Sequence, residues 1–205
     1  MKISAVVLAA GQSTRIGMNK LLLDLGGETV LERVVDALLA SRVDRVIVVV
    51  GYEGERVRQR LRGRDVFVIH NPEYHEGMAA SIREGLKHID PGSHGVLIAL
   101  GDQPLMSSGT IDQIVDAYRN TRKGIVCPTH RGKRGHPVIF NLKKYEKALL
   151  MLRGDIGGKK IIETHGDDLL EIAVDSPGVV SDIDLWEDYE KVKGLVAEEP
   201  KIEKG

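Results

Sequence analysis

Val6-Val7-Leu8-Ala9-Ala10-Gly11-Gln12-Ser13-Thr14-Arg15-Ile16-Gly17-Met18-Asn19-Lys20 is the stretch around which the remaining 190 or so residues make sense. An apolar run rich in β-branched residues stops at Gly11, as a buried strand does. From Gly11 to Lys20 the chain carries two glycines, two hydroxyl side chains, one arginine and one lysine. A bound triphosphate brings about four negative charges, needs backbone N–H groups close by, and needs fixed cations. Gly11 and Gly17 permit the approach, and Arg15 and Lys20 supply the charge. The loop is not of the Walker A type, because Lys20 neither follows the second glycine directly nor precedes a Ser or Thr. It also lacks the second glycine of a dinucleotide fingerprint. On these residues alone an ordinary strand-to-helix connection stays open as the alternative.

Outward from this loop, strands and helices alternate. Thr29-x-x-Glu32 is a capping box, and Leu31, Val34, Val35, Leu38 and Leu39 share one face of the helix it opens. Arg45 to Val50 is a near-continuous β-branched run, the pattern of a strand buried on both faces of a parallel sheet. A polar helix over 53–61, a strand over 66–69, a helix over 78–87 and a strand over 95–100 follow. Next come a helix carrying Ile111, Ile114, Val115 and Tyr118, strands at 125–127 and 137–140, and a helix over 142–152. A strand near 169–174 and a helix over 185–195 complete the chain. Such alternation predicts one doubly wound α/β domain over 1–195, mostly parallel, with a charged and disordered tail at 196–205.

Net charge is −1, which provides no global field for nucleic acid or an anionic membrane. The single cysteine, Cys127, excludes an intrachain disulfide and fits a reducing, cytoplasmic setting; at the end of an apolar run it reads as a buried strand residue. No apolar segment reaches the ~18 residues that span a bilayer. The apolar start after Met1-Lys2 superficially matches a short signal peptide, but removing it would remove the strand that delivers the loop.

In open α/β sheets ligands bind beyond the carboxyl ends of strands. Besides the loop, that criterion selects Gly101-Asp102-Gln103-Pro104 and Asp182-Ile183-Asp184, the latter after Val179-Val180. Alone, an Asp after a strand often caps the next helix. Together with a triphosphate-type loop, two such carboxylates suit Mg²⁺, which is held by one or two carboxylates while water and phosphate fill its shell. Asp102 and Asp184 are the expected ligands.

Leu8-Ala9-Ala10-Gly11-x-Ser13-x-Arg15-Ile16-Gly17-x-x-Lys20 resembles the signature loop of nucleotidyltransferases, most closely the molybdenum cofactor cytidylyltransferases. Gly101-Asp102-Gln103-Pro104 resembles that family's metal motif. Asp182-Ile183-Asp184-Leu185-Trp186-Glu187-Asp188 resembles its closing segment, with Leu185-Trp186 where Thr-Pro is usual. Asn71-Pro72-x-Tyr74-x-x-Gly77-Met78-x-x-Ser81 also resembles the family, as do Arg131-Gly132-x-x-Gly135-His136-Pro137-Val138 and Leu152-Arg153-Gly154-Asp155-x-Gly157.

The resemblance implies a three-layer, Rossmann-like fold of the nucleotide-diphospho-sugar transferase type. It implies transfer of CMP from CTP to the terminal phosphate of molybdenum cofactor, with Mg²⁺ as cofactor and a molybdenum hydroxylase as recipient of the product. By the same resemblance Leu8, Ala9, Ala10, Gly11, Ser13, Arg15, Lys20, Ser81 and Gly101 bind nucleotide. Gly135, His136, Arg153 and Asp155 bind the acceptor, and Lys20, Arg15 and Asp102 carry the chemistry. Ala10-Gly11 resembles the cytidylyl branch, the guanylyl branch having two glycines there. A guanylyl- or sugar-phosphate transferase of the same fold, and a non-catalytic carrier of the cofactor, are the alternatives. The seven histidines have no metal-ligand spacing, and only His136 stands within such a segment.

Overall fold

The computed structural model describes residues 1–198; residues 199–205, the greater part of the expected tail, lie outside the described residues. The elements are β1 (Lys2–Ala9), α1 (Val30–Leu39), β2 (Arg45–Val50), α2 (Gly54–Arg60), β3 (Phe67–His70), α3 (Met78–Leu86), β4 (Ser93–Leu100) and α4 (Ser108–Arg119). They continue with β5 (Ile125–His130), β6 (Lys133–Arg134), β7 (Val138–Asn141), α5 (Leu142–Leu150), α6 (Lys159–Thr164), β8 (Leu169–Ala173) and α7 (Trp186–Ala197). α7 carries two residues of the expected tail, and α6 occupies a stretch that sequence periodicity left unassigned.

All eight strands form one sheet in the order β3-β2-β1-β4-β7-β5-β6, with β8 also paired to β5. β1 is parallel to β2 and β4, and β2 to β3. β7 runs antiparallel between β4 and β5. The period of two in the central strands decides the layers. Ile3, Ala5, Val7 and Ala9 of β1 face one core with Val46, Val48 and Val50 of β2 and the apolar faces of α1 and α4. Val6, Ile47, Val49, Val96 and Ile98 face the other core, which α3, α5 and α6 cover. A strand apolar at every position is thus accounted for by two cores on opposite sides.

Local signals hold in detail at α1. Thr29 Oγ1 accepts from Glu32 N (3.3 Å), and Glu32 Oε2 accepts from Thr29 N (2.7 Å). This carboxylate is buried, yet the Thr29 groups and Arg60 outweigh burial and hold it below the usual carboxylate range. Where the apolar pair Val179-Val180 suggested a strand end before Asp182, the structure has a short 3-10 turn over Pro177–Val180. Pro177 and the adjacent Gly178 favour a tight turn over an extended segment.

Cys127 is buried in β5, and burial pushes its thiol up to about 11. At pH 8 only about one thiol in a thousand is then ionised. An aromatic disulfide reagent is therefore expected to leave the native protein unlabelled for minutes and to label one thiol per chain in urea. Fast labelling of the native protein would contradict this assignment.

Candidate active site

Strand order reverses at β1. β2 and β3 lie on one side and β4 on the other, while α1 and α3 cover opposite faces. Such a reversal leaves a crevice at the carboxyl ends of the two strands. A cleft of about 640 Å³ opens there, a size usual for small-molecule sites. Leu8 and Leu100, register partners on β1 and β4, line it together with Ala10, Gly11 and Gln12 from the loop.

The loop is pinned at two apolar residues, Ile16 and Leu21, both buried in the α1-side core. Between these anchors its own groups shape it. Ser13, at φ 54°, offers its carbonyl oxygen to Ile16 N and Gly17 N (3.1 Å each), and its hydroxyl accepts from Lys20 N (3.1 Å). Asn19 Oδ1 accepts from Leu21 N (3.1 Å). A non-glycine residue in the left-handed region costs of order 1–3 kcal/mol, and such strain concentrates at functional sites. Its effect here is to hold Arg15 and Lys20 at the cleft.

The two cations meet the two carboxylates directly. Lys20 Nζ lies 2.6 Å from Asp102 Oδ2 and 2.9 Å from Asp184 Oδ1, and Arg15 donates to Asp184 Oδ2 (2.8 Å). Burial pushes the Lys20 ammonium down, but the two carboxylates prevail and its affinity for a proton rises. The Lys20 hydrogen bond holds Asp184 below the usual range against partial burial. Burial pushes Asp102 up, with Lys20 pulling against it and Asp182 adding to it. Asp102 Oδ1 is buried and has no hydrogen-bond partner, while its carbonyl oxygen accepts from Ile183 N (3.0 Å). That backbone bond brings the 182–184 segment across to β4.

The opposite wall comes from the start of α3 and the loop after α5. Ser81 is buried, and its Oγ accepts from Asn71 Nδ2 (3.1 Å). Asp155 Oδ1 accepts from Met78 N (3.2 Å), and Gly154 O from Ala79 N (3.1 Å). Gly77, at φ 97°, allows this docking, since a Cβ there would lie 2.6 Å from Asp155 N.

A second cavity, about 580 Å³, lies on the same sheet face. It has an apolar floor of Ile98, Val138 and Phe140, with Lys133, Lys159 and the Arg134–Glu171 ion pair around it, and Gly135 and His136 line it. Ile98 and Leu100 are two positions apart on one strand, so the two spaces stand side by side. The 155–158 loop borders both: Asp155 lines the cleft, Gly158 lines the cavity, and a Cβ at Gly157 would lie 2.7 Å from Met78 Sδ. His136 is held below its ordinary value by burial, with the Asp182 charge opposing.

Of the expected site residues, Leu8, Ala10, Gly11, Arg15, Lys20, Ser81, Asp102, Asp155 and Asp184 therefore line one cleft. Ala9 instead faces the α1-side core. Ser13 supports the cleft through its hydroxyl, which accepts from Lys20 N, and Gly101 through the backbone, Gly101 N donating to Leu8 O (3.0 Å). Arg153 caps the end of α5, donating to Leu150 O and Leu152 O (3.1 and 2.8 Å). Gln12, Tyr74, His75 and Asp182 also line the cleft without having been assigned a role from sequence. Asp182 had a usable signal in its Asp-x-Asp spacing with Asp184.

Residues 5–169 match the model of the MobA-like NTP transferase domain. The molybdenum cofactor cytidylyltransferase of Escherichia coli K12 is 25% identical over 188 residues, 91% of this chain and 93% of that protein. The crystal structure of Rv0371c from Mycobacterium tuberculosis H37Rv superposes with a TM-score of 0.83 at 29% identity, covering 95% of this chain and 98% of that one. A further structure of Rv0371c is a complex with manganese. A nucleotidyl transferase from Methanothermobacter, Mth528, has a TM-score of 0.83 at 28% identity over 96% of this chain and 98% of its own. With the loop, the switch-point cleft and the paired carboxylates in place, the chain is a nucleotidyltransferase and belongs to the MobA-like NTP transferase family.

Proposed function

We propose that this protein transfers the cytidylyl group of CTP to the terminal phosphate of molybdenum cofactor, releasing pyrophosphate, with Mg²⁺ at Asp102 and Asp184. The observation that carries the acceptor half is the second cavity. It adjoins the nucleotide cleft on one sheet face and offers an apolar floor with Lys133 and Lys159 beside it, Arg134 being paired with Glu171, and so suits a flat ring system bearing a phosphate. His136 and Gly135 stand on this side, Asp155 on the cleft side.

An acceptor phosphate oxygen attacks the α-phosphorus, a new P–O bond forms, and the bond to the β-phosphate oxygen breaks. A phosphate dianion is already a nucleophile at neutral pH, so positioning and charge neutralisation make up most of the catalysis. Arg15 and Lys20 hold the triphosphate and offset the charge that builds on the departing pyrophosphate. Gly11 and Gln12 bring the loop backbone to the cleft beside the phosphates, while the N–H groups of Ile16, Gly17 and Lys20 are used within the loop. Ser81, fixed by Asn71, stands by the base, and the Ala10 methyl narrows the site against a purine, a discrimination of about 1–3 kcal/mol.

The metal reading has its own support in the donor set. Asp102 Oδ1, buried and without a partner, and the neighbouring Asp184 carboxylate are the hard oxygen donors that Mg²⁺ takes. When bound, the ion would supply further charge neutralisation at the phosphates.

Pyrophosphate release should be followed with purified molybdenum cofactor and Mg²⁺, comparing CTP, GTP, ATP and UTP, with acceptor-free controls. Acceptor-dependent release with CTP is the expected result. Release with GTP alone would overturn the base assignment. No release with any of the four, despite nucleotide binding, would overturn the acceptor.

A further inference from the structure

The two carboxylates that suit a divalent ion are held by side chains of the protein itself. Lys20 Nζ bridges Asp102 Oδ2 and Asp184 Oδ1 at 2.6 and 2.9 Å, and its side chain is only 15% exposed. One ammonium thus stands against one oxygen of each carboxylate. The other oxygen of Asp184 is held by Arg15, and that of Asp102 is buried without a partner. We propose that Lys20 is the resident cation of this site: it excludes the divalent ion from Asp102 and Asp184 until a triphosphate draws its ammonium away, so that metal and nucleotide enter together.

Electrostatic balance supplies the reason. Two carboxylates this close repel each other, and in a partly buried cleft the repulsion is weakly screened. Lys20 and Arg15 together neutralise them, whereas a divalent ion added to both would crowd four positive charges onto two negative ones. A triphosphate changes the sum by adding about four negative charges beside the same cation. Lys20 can then turn to the phosphates without losing its counter-charge, and the carboxylates become free for the ion. The anchors at Ile16 and Leu21 keep the loop backbone in place, so the exchange requires only that the Lys20 and Arg15 side chains rotate. A metal ion bound without substrate would be a wrong partner for the site, and an internal cation is a means of excluding it.

This inference rests on the assignment of the cleft to a metal–triphosphate complex, and the test separates the two. Mn²⁺ binding can be followed by electron paramagnetic resonance and by the melting temperature, with and without CTP, in the absence of acceptor. In the wild type, micromolar Mn²⁺ alone should stay free and leave the melting temperature unchanged, whereas CTP should bring Mn²⁺ onto the protein. Lys20→Gln should bind Mn²⁺ without nucleotide, at least about tenfold more tightly than the wild type, because the cation that bridges both carboxylates is gone and only Arg15, on Asp184, is left.

Lys20→Cys provides a second arm: it should gain Mn²⁺ binding in the same way and lose it after aminoethylation, which restores an ammonium at that position. The wild type, whose one thiol is the buried Cys127, is treated in parallel as the control for that residue. Micromolar Mn²⁺ binding by the nucleotide-free wild type, or equal affinities in wild type and Lys20→Gln, would overturn the resident-cation role. Failure of the wild type to take up Mn²⁺ even with bound CTP would instead overturn the metal assignment on which it rests.

Discussion

Asp102→Ala is expected to lower acceptor-dependent pyrophosphate release by about a thousandfold or more while the protein melts within a few degrees of the wild type. The two halves of that expectation come from different atoms of one residue. The carboxylate holds Lys20 at 2.6 Å and has the unpartnered oxygen; the proposed metal and phosphate chemistry draws on both. The fold depends on the main chain, where Asp102 O accepts from Ile183 N and Gly101 N reaches Leu8 O. Those bonds survive truncation of the side chain. Lys20 keeps Asp184 as partner, and a carboxyl that burial makes costly to ionise is removed, so little stability is lost. Asp102→Asn, which keeps the volume and loses the charge, should be nearly as inactive. Wild-type turnover in either variant would remove Asp102 from the chemistry, and a collapsed melting temperature would make it a structural residue.

Gly135→Ala should have the largest effect on stability, a loss of roughly 2–4 kcal/mol measured by urea unfolding. A Cβ at Gly135 would lie 2.0 Å from Val179 O and 2.7 Å from Val179 C, and both are backbone atoms that cannot rotate aside. The contact is where the β5–β7 connection crosses the 177–180 turn, and His136 N donates to Val179 O there (2.8 Å). Separating these segments would also disturb Asp182 and Asp184 a few residues on. Gly11→Ala is the informative contrast. A Cβ there meets nothing within 4 Å, so the fold should melt as the wild type does, within about 0.5 kcal/mol. The added methyl and the stiffer loop should weaken CTP binding several-fold. If Gly135→Ala unfolds with the wild-type midpoint, the close approach described for it is wrong.

The local parts of the protein were written in the chain. Alternation of strands and helices led to the α/β class because each apolar run of β1, β2 and β4 is short enough for a strand and apolar on both faces. Thr29 and Glu32 placed the start of α1 to the residue. Gly11 to Lys20 was legible as a candidate phosphate loop because glycine freedom and fixed charge are properties of the residues themselves. Asp102 was legible because a carboxylate directly after an apolar strand falls at the sheet edge where ligands bind.

Other features depended on which segments the packing brings together. Lys20 and Asp184 are 164 positions apart, and no spacing rule connects them. Their meeting is decided by the bond from Ile183 N to the carbonyl of Asp102 and by the anchoring of Ile16 and Leu21. That Lys20 sits on both carboxylates follows from this approach. Gly135 looked like a ligand-contacting glycine and also proved to be a packing glycine, because its neighbour is a turn more than forty residues away. Arg153 looked like an acceptor contact, yet nearby carbonyls at the end of α5 hold its guanidinium. Sequence alone determined which groups the chain has and which local conformations they favour, since both depend on neighbours within a turn or a strand. Tertiary structure decided which charges share a cleft, because that is settled only when two cores pack on opposite faces of one sheet.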